Sequence, residues 1–112
     1  MKGEQYLTRN AQFQAVYDGG RTWANKHIVL KVMRNELEIS RYGFTVSRRV
    51  GKAVARNRVK RRLREIVRGT GLKPGWDFII IARSTAAGAE YGELAGSVRN
   101  GLGRAGIMAG GQ

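Results

Sequence analysis

Between Ser47 and Arg68 the chain reads SRRVGKAVARNRVKRRLREIVR, and this segment dictates much of what the rest can be. Val59, Leu63, Ile66 and Val67 recur at three- and four-residue spacing, which predicts a helix over about residues 53–68 with these side chains on one face. Ala55 extends that face. Asn57, Arg61, Arg64 and Arg68 fall opposite, flanked by Arg58, Lys60 and Arg62. Gly69 is placed to end the helix. From Arg48 onward ten residues are basic: Arg48, Arg49, Lys52, Arg56, Arg58, Lys60, Arg61, Arg62, Arg64 and Arg68. Only Glu65 opposes them, so this stretch carries nine of the thirteen net positive charges.

Most charge runs are simply solvated faces. A solvated helix usually alternates Glu with Lys at four-residue spacing, however, and this one does not. Arg58 faces Arg61 and Arg62, and Lys60 faces Arg64; each like-charge pair costs about 0.2–0.5 kcal/mol. Lys52 and Arg56 sit near the helix N-terminus, where the macrodipole disfavours cations. A bound polyanion relieves all of these repulsions. Arginine outnumbers lysine by fifteen to six, and guanidinium forks suit phosphates and unstacked bases. Asn57 reads either as a surface amide or as a hydrogen-bonding group for phosphate or base. Gly51 allows a sharp turn or a close phosphate, but the segment lacks the glycine spacing of a nucleotide-binding loop.

The remaining sequence supplies one domain over residues 1–112. A pI of about 11.3 favours nucleic acid over an anionic membrane as partner. The longest apolar run, Phe78 to Ala82, is far short of a membrane span, and MKGEQYL lacks the apolar stretch of a signal peptide. With no cysteine and one histidine, thiolate and multi-histidine metal sites are excluded, and an intracellular, cytoplasmic setting is expected. His27 reads as a polar residue entering a strand.

Thr8 to Asp18 is predicted helical, with Thr8 or Asn10 as N-cap and Gly19-Gly20 as terminator. His27 to Arg34 and Arg41 to Ser47 read as strands, Asn35 to Ser40 as a turn, and Trp76 to Ala82 as a buried strand. A third strand falls within Trp23 to Met33 or around Glu36 to Ser40, without a clear choice. Tyr91 to Arg104 is a weak amphipathic helix interrupted by Gly96, Gly101 and Gly103. Residues 106–112 are expected to form a flexible tail. The pattern is an α+β two-layer sandwich of helices on a small sheet. No catalytic constellation is visible; Asp18 and Asp77 stand as isolated carboxylates. Phe13 and Tyr17, four apart, serve either the core or a surface for single-stranded nucleic acid.

The segment SRRVGKAV followed by RNRVKR resembles the hallmark of the bacterial ribonuclease P protein family, and LTRNAQF and WDFIIIAR resemble its first helix and last strand. The resemblance implies the order α-β-β-β-α-β-α, with a four-stranded sheet and a left-handed βαβ crossover as in a ribosomal-protein domain. It implies a ribonucleoprotein endonuclease that removes the 5′ leader of precursor tRNA. In such an enzyme the RNA subunit carries the chemistry with Mg²⁺, and the protein binds no cofactor tightly. The implied partners are the catalytic RNA and precursor tRNA, with no membrane and no small-molecule substrate. The implied RNA-binding residues are the ten bases above and Asn57. Phe13 and Tyr17 match aromatics of a cleft for the leader. Lys31 stands where an aromatic often faces that cleft, and Tyr6 where a base often precedes the leucine. The competing reading is a structural RNA-binding protein, ribosomal or chaperone-like, with no part in cleavage. A transcriptional regulator would need a helix-turn-helix pair, whereas the basic helix here follows a strand through Val50-Gly51.

Overall fold

The computed structural model describes residues 5–109. Helix α1 (Asn10–Gly19) starts after Arg9. Its cap is neither Thr8 nor Asn10: the Gln12 side chain turns back, and its Oε1 accepts from the N–H groups of Thr8 and Arg9 at 2.7 and 3.0 Å. The Gly20 N–H closes the other end on Val16 O at 2.8 Å.

Four strands follow: β1 (Arg21–Ala24), β2 (Ile28–Arg34), β3 (Arg41–Thr45) and β4 (Trp76–Ala82). They lie in the order β1-β2-β4-β3. β1–β2 and β2–β4 are antiparallel, and β3–β4 is parallel. The strand that the sequence leaves unplaced is β1, which begins earlier than either expected location. Parallel neighbours need a crossover, and helix α2 (Ala53–Arg68) supplies it between β3 and β4. Helix α3 (Tyr91–Ala105) closes the domain.

Strand alternation divides the apolar residues between two faces. Ile28, Leu30, Val32, Tyr42, Phe78, Ile80 and Ala82 meet Val59, Leu63, Ile66 and Val67 of α2 and Leu94, Val98 and Leu102 of α3. The other face carries Ile79, Ile81 and Met33, which pack against Leu7, Phe13, Val16 and Tyr17. The sheet with α2 and α3 therefore forms the two main layers, and α1 lies on the opposite side. Close approach of α1 requires Gly43, since a Cβ there would stand 2.5 Å from Phe13 Cζ.

Asp77 is not an isolated carboxylate. Arg41 grips it with Nε to Oδ1 at 2.9 Å and Nη2 to Oδ2 at 2.7 Å, while Asn35 Nδ2 donates to Oδ1 at 2.8 Å. The hydrogen bond to Asp77 raises the Arg41 pKa above the usual guanidinium value. His27 is likewise structural: it is buried, and its Nδ1 pairs with Thr85 Oγ1 at 2.8 Å.

The expected flexible tail is corrected over residues 106–109. Gly106 takes a left-handed φ of 79° and turns the chain back. Ile107 is fully buried, its carbonyl accepts from Lys73 N at 2.9 Å, and Ala109 N donates to Gly71 O at 2.9 Å. Residues 110–112, like the first four, lie outside the described part.

Asp77→Ala leaves the Arg41 guanidinium and the Asn35 amide without their shared acceptor. Urea unfolding should show a loss of about 2–3 kcal/mol. A loss within about 0.5 kcal/mol, the range of an ordinary surface change, would mean this pair does not hold β3 to β4.

Candidate nucleic-acid interface

A short sequence of turns positions the basic helix. The Ser47 Oγ accepts from Arg49 N at 3.3 Å and opens a single 3₁₀ turn over Arg48–Val50. Val50 is buried and anchors that turn in the core. Gly51 then adopts φ 151°, and a Cβ there would meet Ala55 Cβ at 2.9 Å. Arg56 Nη1 donates to Gly51 O at 3.1 Å and pins the turn to the first helical turn of α2.

The four apolar residues of α2 are buried against the sheet and α3. Their burial fixes the rotation of the helix. Asn57, Arg58, Lys60, Arg61 and Arg68 are therefore exposed, together with Arg48, Arg49 and Lys52 before them. Arg56, Arg62 and Arg64 are half-buried. Arg62 Nη1 donates to Ala89 O at 3.3 Å, which ties the flank of α2 to the loop before α3. Eight of the eleven predicted RNA-binding residues are thus exposed on α2 and the turn before it, while Arg56 and Arg62 also brace the fold. Between described residues the ion pair is Arg41–Asp77, and Glu65 forms no salt bridge with Arg58, Lys60, Arg61, Arg62 or Arg64.

Tyr6 belongs to this surface as well. Its ring meets Tyr42 edge-on at 5.2 Å, and residues 5–7 pair with the outer edge of β3 through Tyr42. The Arg64 guanidinium lies 5.9 Å from the Tyr6 ring centre, and Arg68 Nη2 reaches Tyr6 Oη at 3.3 Å. Tyr6 therefore orients two arginines from a segment about sixty residues away in sequence. No local pattern could have assigned it that role.

The sheet face beside α1 is only partly covered. Tyr17 is half-buried, and its hydroxyl pairs with Thr45 Oγ1 at 2.7 Å. Across the sheet, register aligns Ala24, Val29, Ile81 and Thr45 in one row, and Thr22, Lys31, Ile79 and Gly43 in the next. α1 covers Ile79 and Gly43 but leaves Val29, Lys31 and Ile81 partly accessible. Lys31 Nζ donates to Thr22 Oγ1 at 2.9 Å, which holds it against this face of the sheet. Tyr17 and Lys31 thus share one face, without direct contact. Phe13 sits differently. It packs with Leu7, Val16 and Ile79 and also borders a cavity of about 330 Å³ that includes Tyr6, Phe44, Lys60 and Arg64. Phe13 therefore links the α1 face to the basic helix.

Among the described residues, no group of three or more His, Cys, Asp or Glu side chains could hold a metal ion. No helix there is long and apolar enough to cross a membrane.

These features define an α+β RNA-binding domain with a single polycationic helix. The ribonuclease P family model matches residues 1–106. The ribonuclease P protein component of Dehalococcoides mccartyi is 46% identical over 108 residues, covering 96% of this chain and 90% of that protein. That of Clostridium acetobutylicum is 39% identical over 109 residues, covering 94% and 92%. Among solved structures, the Staphylococcus aureus ribonuclease P protein superposes with a TM-score of 0.84 at 31% identity, covering 94% of this chain and 98% of that one. The Thermotoga maritima protein gives 0.76 at 26% identity, covering 88% and 94%. The chain belongs to the ribonuclease P protein family, as a protein component of the enzyme.

Each phosphate neutralised by a side chain adds about −0.7 to −0.9 to the log–log dependence of affinity on salt. Titrations against a structured ribonuclease P RNA should show a slope of several units, and Arg61→Gln should reduce it by about one. An unchanged slope would remove Arg61 from the contact surface.

Proposed function

We propose that this chain binds the catalytic RNA of ribonuclease P through the outer face of α2 and steadies the 5′ leader of precursor tRNA on the sheet face beside α1. The observation that carries the reading is the exposed arginine-rich face of α2, held outward by four buried apolar residues. Arg58 and Arg61 present planar forks for phosphate or base edges, with Asn57 beside Arg61 on the exposed side. Arg48, Arg49 and Lys52 extend the charge around the helix N-terminus.

The leader reading rests on chemistry. A single strand needs stacking faces and scattered cations rather than a deep cage. Tyr17 offers a ring beside the partly open apolar floor of Val29 and Ile81, and Lys31 adds a cation. Phe13 extends the path towards Lys60 and Arg64.

Hydrolysis of the phosphodiester is assigned to the RNA, with the Mg²⁺ it binds. The protein's own carboxylates do not fit a resident Mg²⁺: Asp77 is engaged by Arg41, and no acidic cluster stands among the described residues. The cytoplasm is the matching compartment. A purely structural ribosomal or chaperone-like role is not the reading that the family match supports.

Cleavage of precursor tRNA at low Mg²⁺ tests this reading. A cognate catalytic RNA should gain activity when the chain is added, and the chain alone should give no 5′-matured product. No gain would sink the subunit role, and product from the repurified chain alone would reveal an active site in the protein.

Tyr17→Leu keeps an apolar side chain against Val16 and Ile79 but removes the stacking ring. The holoenzyme should then bind precursor tRNA about tenfold more weakly, with mature tRNA nearly unaffected. Wild-type affinity for both substrates at an unchanged melting temperature would exclude Tyr17 from the leader path.

A further inference from the structure

Both tryptophans of the chain, Trp23 and Trp76, line a single notch that does not involve the basic helix. It lies where β1 and β4 begin and β2 ends, beside the last residues of α1 and α3. Its volume is about 270 Å³, and Arg21, Val32, Met33 and Arg34 complete the principal lining. Sheet register creates it. Arg21 pairs with Val32, Trp23 with Leu30, and Arg34 with Trp76. Alternation turns Arg21, Trp23, Val32, Arg34 and Trp76 towards the same side.

The side chains are arranged in two matching pairs. The Arg21 guanidinium lies 5.3 Å from the Trp23 ring centre, and that of Arg34 lies 5.0 Å from Trp76. Both arginines are exposed and both tryptophans half-buried. Neither arginine has a carboxylate partner among the described residues, and no acidic residue lines the notch. A stacked guanidinium uses its flat face on the ring and keeps its N–H edge free for an anion. Two aromatic rings, two unspent cationic edges and a small apolar floor suit a ligand that is planar in one part and anionic in the next.

We propose that this notch holds an unpaired nucleotide of an RNA strand, with its base on the Trp23 and Trp76 walls and its phosphates on Arg21 and Arg34. The inference rests on the RNA-binding reading of the chain. It adds a contact point independent of α2 and of the face beside α1. Charge selects this occupant: the chain is strongly cationic, and the notch presents positive edges with no carboxylate to receive a basic partner. Size agrees, since the space is just below the range of about 300–1,000 Å³ for small-molecule pockets and suits one splayed base. Aromatic walls accept any base, so sequence preference should be weak.

Because the chain has no tryptophan elsewhere, its intrinsic emission reports on this notch directly. The full-length chain should be titrated with an unlabelled single-stranded oligoribonucleotide of about eight nucleotides, within the usual single-strand site size. Binding of an end-labelled copy should be followed in parallel by anisotropy. The expected result is saturable quenching of tryptophan emission. Arg21→Ala with Arg34→Ala should weaken the quenching transition by about tenfold or more, with the melting temperature retained. Trp23→Leu should remove part of the signal.

If anisotropy reports binding while tryptophan emission stays constant, the strand lies elsewhere and the notch assignment fails, with RNA binding by α2 intact. Quenching that the arginine pair does not affect would also overturn it. So would an emission change that follows protein concentration without RNA, which would mark the notch as a contact between two copies. Failure to bind the oligonucleotide by either readout overturns the notch too. Affinity for the catalytic RNA in the same preparation then decides separately whether the wider reading stands.

Discussion

The double-sided burial of β4 is the constraint on which the other features depend. Phe78 and Ile80 point to one face and Ile79 to the other, and all three are fully buried. A central strand of this kind needs cover above and below. α2 and α3 together cover one face. On the other, α1 is the only helix among the described residues, and its ten residues span about 15 Å. Four strands at about 4.8 Å spacing, two of them seven residues long, present more surface than one such helix can hide. The partly exposed strip of Val29, Lys31 and Ile81 is the part left over. It arises from a shortage of helix, not from a separate structural device.

The same packing explains how the repulsive helix is tolerated. Burying a Val, Leu or Ile side chain contributes about 1.5–3 kcal/mol, and α2 buries four of them. Each close like-charge pair costs only about 0.2–0.5 kcal/mol. Tertiary burial therefore outweighs the local charge conflict, and α2 forms before any polyanion arrives. The charged face is held in place through contacts on its opposite side. Tyr6 and the Ala89 carbonyl add lateral restraint, by orienting Arg64, Arg68 and Arg62.

Legibility in the sequence followed the range of the interactions involved. The bounds of α2 and β4 could be read directly, because a four-residue apolar period and an unbroken apolar run are local signals. β1 could not: it is four residues long, lies at the sheet edge and exposes most of its side chains. Asp77 looked isolated because Arg41 stands 36 positions away. Gly43 reads as a small residue in a strand until Phe13 is seen lying against it. Phe13 and Tyr17 were legible as a pair on one helix face, but not their separate destinations, one at the junction with α2 and the other at Thr45. Tyr6 looked like a departure from the family pattern, and its work with Arg64 and Arg68 depends entirely on folding.

The return of the chain after Gly106 bears on how the domain's two halves are joined. Ile107 and Ala109 hydrogen-bond to Lys73 and Gly71, and Leu72 pairs with Met108. The segment between α2 and β4 is thus laced to the residues beyond α3 rather than left as a free loop. In mechanical terms, the C-terminal end of the basic helix has a tether as well as a packed face. A load applied to α2 by a large RNA would pass through this lacing into α3 and, from there, into the sheet. Residues 106–109 therefore act as a strut for α2, although they carry none of its charge.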